Sequence, residues 1–140
     1  MTNIEVLIKK IESFEPIGED WVALDDLIEQ AGASGSDLVV LPLLRILERN
    51  PDHDGYGVFW SIVHALEDID GYETALVNSV LSNPHELSVM MLNRILNSGQ
   101  TEIDGTPIIK ILGNIASNEQ FNSSIREDAA GYIKHQQKNT

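Results

Sequence analysis

The chain contains no cysteine among its 140 residues. Disulfides, thiolate zinc centres and cysteine nucleophiles are excluded together. Basic residues are scarce: nine Lys and Arg stand against 22 Asp and Glu, for a net charge of −13. Phosphate backbones are gripped by basic side chains, so direct nucleic-acid binding is not expected. No apolar run approaches the ~20 residues that a membrane helix needs. The N-terminal stretch mixes Glu5, Lys9, Lys10 and Glu12 with its apolar positions and lacks a small-residue cleavage site, so it does not read as a signal peptide. A soluble cytoplasmic protein without a membrane partner is the expectation. Strand alternation is also missing, and the sequence predicts no sheet.

What is present is ordinary globular material, 42% hydrophobic and 22% charged, which suits one domain spanning residues 1–140. Apolar residues recur at helical spacing. Ile4, Leu7, Ile8 and Ile11 share a face behind a capping box at Thr2. Trp21, Leu24, Leu27, Ile28 and Ala31 form a second stripe. Residues 37–49 are apolar enough to be buried on most sides, and Pro42 there predicts a kink or a late helix start. Phe59, Ile62, Val63, Leu66 and Ile69 make the fourth stripe. Tyr72, Ala75, Leu76, Ser79 and Val80 follow a capping box at Asp70. Leu87, Met91, Leu92, Ile95 and Leu96 follow Asn83-Pro84, read as a cap and first helical residue. Residues 98–106 read as a loop, and Thr106-Pro107 as the start of a helix that buries Ile108, Ile111, Leu112 and Ile115. A capping box at Ser124 opens the last helix, with Ile125, Ala129, Tyr132 and Ile133 inward and residues 136–140 as a frayed tail. The expected fold is all-α: a HEAT-like stack of antiparallel hairpins of about eight short helices. A compact orthogonal bundle is the structural alternative.

The acid is localised. Residues 1–73 hold 16 of the 22 carboxylates and 4 of the 9 basic side chains, leaving −12 on that half and −1 on the rest. Residues 50–73 concentrate it further, with six carboxylates, two tyrosines, a phenylalanine, a tryptophan and no Lys or Arg. Solubility alone explains acidic proteins in general. It does not explain the placement. Asp25 and Glu29 are like charges one turn apart. Glu67, Asp68 and Asp70 crowd a helix C-terminus, where the dipole disfavours anions. Aromatics flanked by charge are the composition of binding hot spots. The candidate partner-binding residues are Asp25, Asp26, Glu29, Asp52, Asp54, Tyr56, Trp60, Glu67, Asp68, Asp70 and Tyr72.

Other chemistry finds less support. Asn50, Asp52, Asp54, Gly55 and Tyr56 match the early positions of a calcium-binding EF-hand loop, but its twelfth position holds Ser61 in place of Glu. A turn rich in capping acids is the better account. His64 has no second histidine at ligand spacing and suits a hydrogen-bonded helix seam better than zinc. No metal or cofactor is expected. Gly-x-Ser-x-Gly and phosphate-cradling loops are absent, and the carboxylate pairs lack a visible polar cleft, so no enzyme activity is expected.

The block Asp52-His53-Asp54-Gly55-Tyr56-Gly57-Val58-Phe59-Trp60-Ser61-Ile62-Val63-His64-Ala65-Leu66-Glu67 resembles a segment of small helical immunity proteins from bacterial polymorphic-toxin systems, contact-dependent growth inhibition among them. The preceding Leu41-Pro42-Leu43-Leu44 resembles the Leu-Pro-x-Leu helix of HEAT-like repeats. The two lie within residues 41–67, about a fifth of the chain. The resemblance implies a cytoplasmic protein that binds the toxin domain of a secreted effector and blocks it. Many such toxin domains are nucleases with basic surfaces, which an acidic patch would meet. The alternative is a HEAT-like adaptor for another basic partner.

Overall fold

The computed structural model describes residues 3–138 of the chain. Among these residues the chain forms α1 (Ile4–Glu12), α2 (Val22–Ser34), α3 (Val40–Arg49), α4 (Phe59–Glu67), α5 (Glu73–Ser82), α6 (Glu86–Asn97), a short antiparallel ladder β1 (Glu102–Ile103) and β2 (Thr106–Pro107), α7 (Ile108–Ser117) and α8 (Ser123–Lys138). The fold is all-α. Packing is local and layered. α1, α3, α5 and α7 pack each on the next, as do α2, α4, α6 and α8, and hairpin partners pack across the two layers. This is the HEAT-like stack of four hairpins, and it excludes the orthogonal bundle, which would bring distant helices together.

The core lies between the layers and is the sum of the helical stripes. Leu7, Ile11, Leu24, Ile28, Phe59, Ile62, Leu66, Leu76, Met91, Leu92, Ile111, Leu112 and Ile115 are all buried. Pro42 is the third residue of α3 and is itself buried. The first four backbone N–H groups of a helix have no intrahelical acceptor, so proline breaks no bond there. Residues 37–39 form a 3-10 turn ahead of it, capped by Ser36. The late start is therefore the outcome, without a kink. The segment 37–49 is not covered on every side: Leu38 in the turn and Leu41 in α3 are exposed.

Several helix starts differ from their expected form. Thr2 lies outside the described residues, and the Asn3 side chain caps α1 by accepting the Glu5 N–H. Asp70 makes no cap. α5 begins after Tyr72, whose backbone is already helical, and Gly71 at φ 84° separates Asp70 from it. Asn83 ends α5, and the cap of α6 is His85. Its Nδ1 accepts the Leu87 N–H at 3.0 Å, and the Ser88 hydroxyl accepts the His85 N–H at 2.9 Å. The bonds that His85 makes with Leu87, Ser88 and the His53 carbonyl place the cap downstream of Pro84. The Asn122 side chain, not a Ser124 box, caps α8 through the Ile125 N–H. α8 is helical through Lys138, so the expected fraying at 136 is absent there. Gln136 donates to Asn93 at 2.7 Å and Asn97 at 2.8 Å, which ties the last turn to α6. Asn139 and Thr140 lie outside the described residues.

The expectation of no sheet is corrected by the two-residue ladder, with Ile103 opposite Thr106. Its turn is Asp104-Gly105, at φ 52° and 82°. Both residues are left-handed, as a two-residue hairpin with the right twist requires. Thr74 donates to the Asp104 carboxylate at 2.6 Å and Ile103 is buried, so the hairpin is pinned to α5. The helix expected to start at Thr106 starts at Ile108.

Candidate partner-binding surface

In a stack of hairpins the loops fall on two edges. Loops within hairpins, near residues 13–21, 50–58, 83–85 and 118–122, share one edge, and the loops between hairpins share the other. The acidic segment 50–73 spans both. Asp52 and Asp54 precede α4 and Glu67, Asp68 and Asp70 end it. Nine residues of helix, about 13 Å, lie between them. What reads as one patch in the sequence is two.

The first edge is built around two strained turns. Gly55, Tyr56 and Gly57 are all left-handed, at φ 64°, 51° and 89°. Glu19 is left-handed too, at φ 67°. A non-glycine residue pays roughly 1–2 kcal/mol for that conformation. These two strained side chains bond each other: the Tyr56 phenol donates to the Glu19 carboxylate. That hydrogen bond is the main reason the Tyr56 pKa lies above its ordinary value. The loop is held from beneath. His53 Nδ1 accepts the Gly55 N–H at 2.7 Å, and the His53 carbonyl accepts from His85 Nε2 at 2.7 Å. With His85 Nδ1 occupied as an acceptor, its Nε2 carries the proton. The Asp54 carboxylate caps its own loop by accepting the Tyr56 N–H at 2.9 Å. It is thus a structural acceptor in a turn, as the capping-acid reading expects.

Aromatic packing joins this edge to α2. Trp21 stacks edge-on against Phe59 at 5.1 Å and lies 5.0 Å from the His53 ring. The starts of α2 and α4 are therefore adjacent. Farther along, a Cβ at Gly32 would stand 3.8 Å from the Ala65 Cβ. The two helices run the same way, side by side. Large apolar side chains are left outward at this end: Ile17 is 89% exposed, Val22 73%, Tyr56 67% and Trp60 41%.

Asp25, Asp26 and Glu29 are exposed on α2. Asp25 and Glu29 border an open groove of about 510 Å³ between α2 and α4, with Ser61 and His64 on the other wall. His64 is exposed, 6.1 Å from the Trp60 ring, and makes no side-chain hydrogen bond among the described residues. It lines a groove and does not seal a seam. The sequences of α2 and α4 contain no Lys or Arg. The Asp25–Glu29 repulsion, about 0.2–0.5 kcal/mol, is uncompensated.

The second edge is different. Glu67 is half-buried and accepts two hydrogen bonds from Arg94, at 2.7 and 2.8 Å. It is the one carboxylate bridged to a Lys or Arg among the described residues. Those bonds hold the Arg94 pKa above its ordinary value. Tyr72 is buried, at 7% exposure, and cannot meet a partner. Burial first, then the Glu67 and Glu73 carboxylates, push its pKa up to about 12. Of this group only Asp68 and Asp70 are exposed. They carry a dipole cost of about 0.3–1 kcal/mol each.

Sequence reasoning missed Glu19, Ile17, Val22 and the groove floor. The groove had a signal: Gly32, Ala33, Ser61 and Ala65 are small residues, with Ser61 and Ala65 one turn apart. No group of three or more His, Asp or Glu side chains is gathered for a metal among the described residues. No helix there is long and apolar enough to cross a membrane. Comparison with family models, curated proteins and solved structures found no match.

Proposed function

We propose that the protein is a cytoplasmic immunity protein that binds and neutralises the toxin domain of a secreted effector, without catalysis of its own. One observation carries the reading. The exposed acids of α2 and of the 52–54 loop lie beside four outward apolar side chains, on helices that contain no Lys or Arg. A protein–protein interface needs apolar anchors as well as charge, and this end of the stack offers both. A basic toxin domain, such as a nuclease, suits it: carboxylates would cover the surface that otherwise holds phosphate and would speed association. The stacked hairpins supply a rigid frame for the surface. The test is co-expression with the C-terminal domain of whatever secreted protein the adjoining upstream gene encodes. The expected result is restored growth and a stable complex on gel filtration. A toxin domain that kills unhindered and elutes alone contradicts the proposal.

A further inference from the structure

The groove between α2 and α4 has a shape as well as a charge. Its floor is Ile28, Gly32 and Ala65, and one wall is Asp25, Glu29 and Ala33. From Asp25 to Ala33 it is about 12 Å long, or two helical turns. Val22 and Trp60 extend the two walls by one turn at the open end, and both are exposed. Along most of the groove the backbone N–H and C=O groups are paired within α2 and α4. An extended peptide laid there would bury its own backbone groups against apolar carbon with nothing to bond them. A helix brings those groups already paired, and the small side chains of the floor permit close approach. The carboxylates have no cation on either helix, so the complementary charge comes from the occupant.

We propose that this groove receives an amphipathic helix of the partner, apolar on the docked face and bearing Lys or Arg along its flank opposite Asp25 and Glu29. The inference deepens the proposed function, since it names the segment of the toxin domain that the surface holds. Trp60 is the aromatic anchor at the mouth of the groove.

The test uses the full chain and a synthetic helix of about four turns, with Leu and Ala on one face and Lys on its flanks. A scrambled peptide of the same composition and charge is the control. Titration followed by amide chemical shifts should move signals from residues 22–33 and 60–65. Ala33→Phe, at an exposed position on the wall, places a bulky ring in the path of the occupant and should weaken binding about tenfold or more, as loss of an anchor does. Asp25→Lys with Glu29→Lys should weaken it as strongly at low salt. Asp68→Lys with Asp70→Lys, on the far edge, should change it less than about threefold. Unchanged melting temperatures would show that each variant folds. Equal affinity for the scrambled peptide overturns the proposal, as does indifference to Ala33→Phe or shifts confined to the hairpin-tip loops. Toxin neutralisation separates the two levels. If the Ala33→Phe protein neutralises as well as the unaltered protein, the groove is wrong and the function stands. If the unaltered protein holds the helix in the groove but protects against no toxin domain, the function is wrong and the groove stands.

Discussion

The α2–α4 pair and the α6–α8 pair occupy equivalent places in the same layer of the stack and are finished in opposite ways. Between α6 and α8 polar groups are spent internally. Gln136 bridges Asn93 and Asn97, and Tyr132 is packed against the core. Along α2 the acids point outward without cations, and a groove stays open between α2 and α4. The fold is indifferent to this contrast, because both pairs bury the same kind of apolar stripe. The difference lies in surface chemistry, and function is argued from surfaces and sites more safely than from folds.

The largest expected effect is on the turn that presents Tyr56. A Cβ at Gly55 would stand 2.5 Å from the Phe59 ring, which is fully buried and cannot withdraw, and φ there is 64°. Gly55→Ala should cost about 2–4 kcal/mol through overpacking and left-handed strain. At Gly57 φ is 89° but a Cβ would meet nothing within 4 Å, so Gly57→Ala should cost only about 1 kcal/mol. Urea denaturation of the pair measures both. Equal losses would remove the role assigned to Phe59.

A second prediction concerns alkaline pH. The folded pKa of Tyr72 is about 12 against an ordinary value of 10. The folded state thus holds the phenol proton more tightly than the unfolded state. This contribution is full below pH 10 and is lost as pH rises toward 12. Thermal melts should show stability falling across that window, with a shallower fall in Tyr72→Phe. An unchanged slope would mean that Tyr72 is not buried as described.

The smallest effects separate the two edges. Glu67→Gln should cost about 0.5–1 kcal/mol, because it removes a bidentate partner of Arg94. Asp68→Asn should be neutral or gain a few tenths of a kcal/mol by relieving the helix dipole. If both variants destabilise alike, the second edge is a structural network and not a paired acid beside free ones.

The stripes that form the core were plain in the sequence because helical spacing survives without knowledge of any neighbour. Phe59, Ile62, Val63, Leu66 and Ile69 are all buried as their periodicity predicts. Helix starts were less legible. At Asn83-Pro84 the local rules allow two caps, and the choice fell to His85 because Ser88 and the His53 carbonyl complete its bonds. The Asp104-Gly105 turn was visible as a dipeptide, but strands of two residues are too short to alternate. The site was half legible. Charge and aromatic content marked residues 50–73. Sequence proximity then merged acids that a helix holds apart, and it offered Tyr72 as surface when its stripe belongs to the core. The Glu19–Tyr56 contact joins residues 37 positions apart, and no local pattern announces it.

The central claim is that place, not total charge, makes the acidic half a binding surface. Asp25, Glu29 and Asp52 reversed to Lys form one variant, and Glu102, Glu119 and Glu127 reversed to Lys form the other. All six are exposed, and both variants change net charge by the same amount. The measurement is the association rate with the proposed partner, a toxin domain, across a salt series. The account predicts a rate slowed at least tenfold, with a flattened salt dependence, in the first variant and little change in the second. Equal slowing in both would contradict it, because the field would then be global and the surface no site at all.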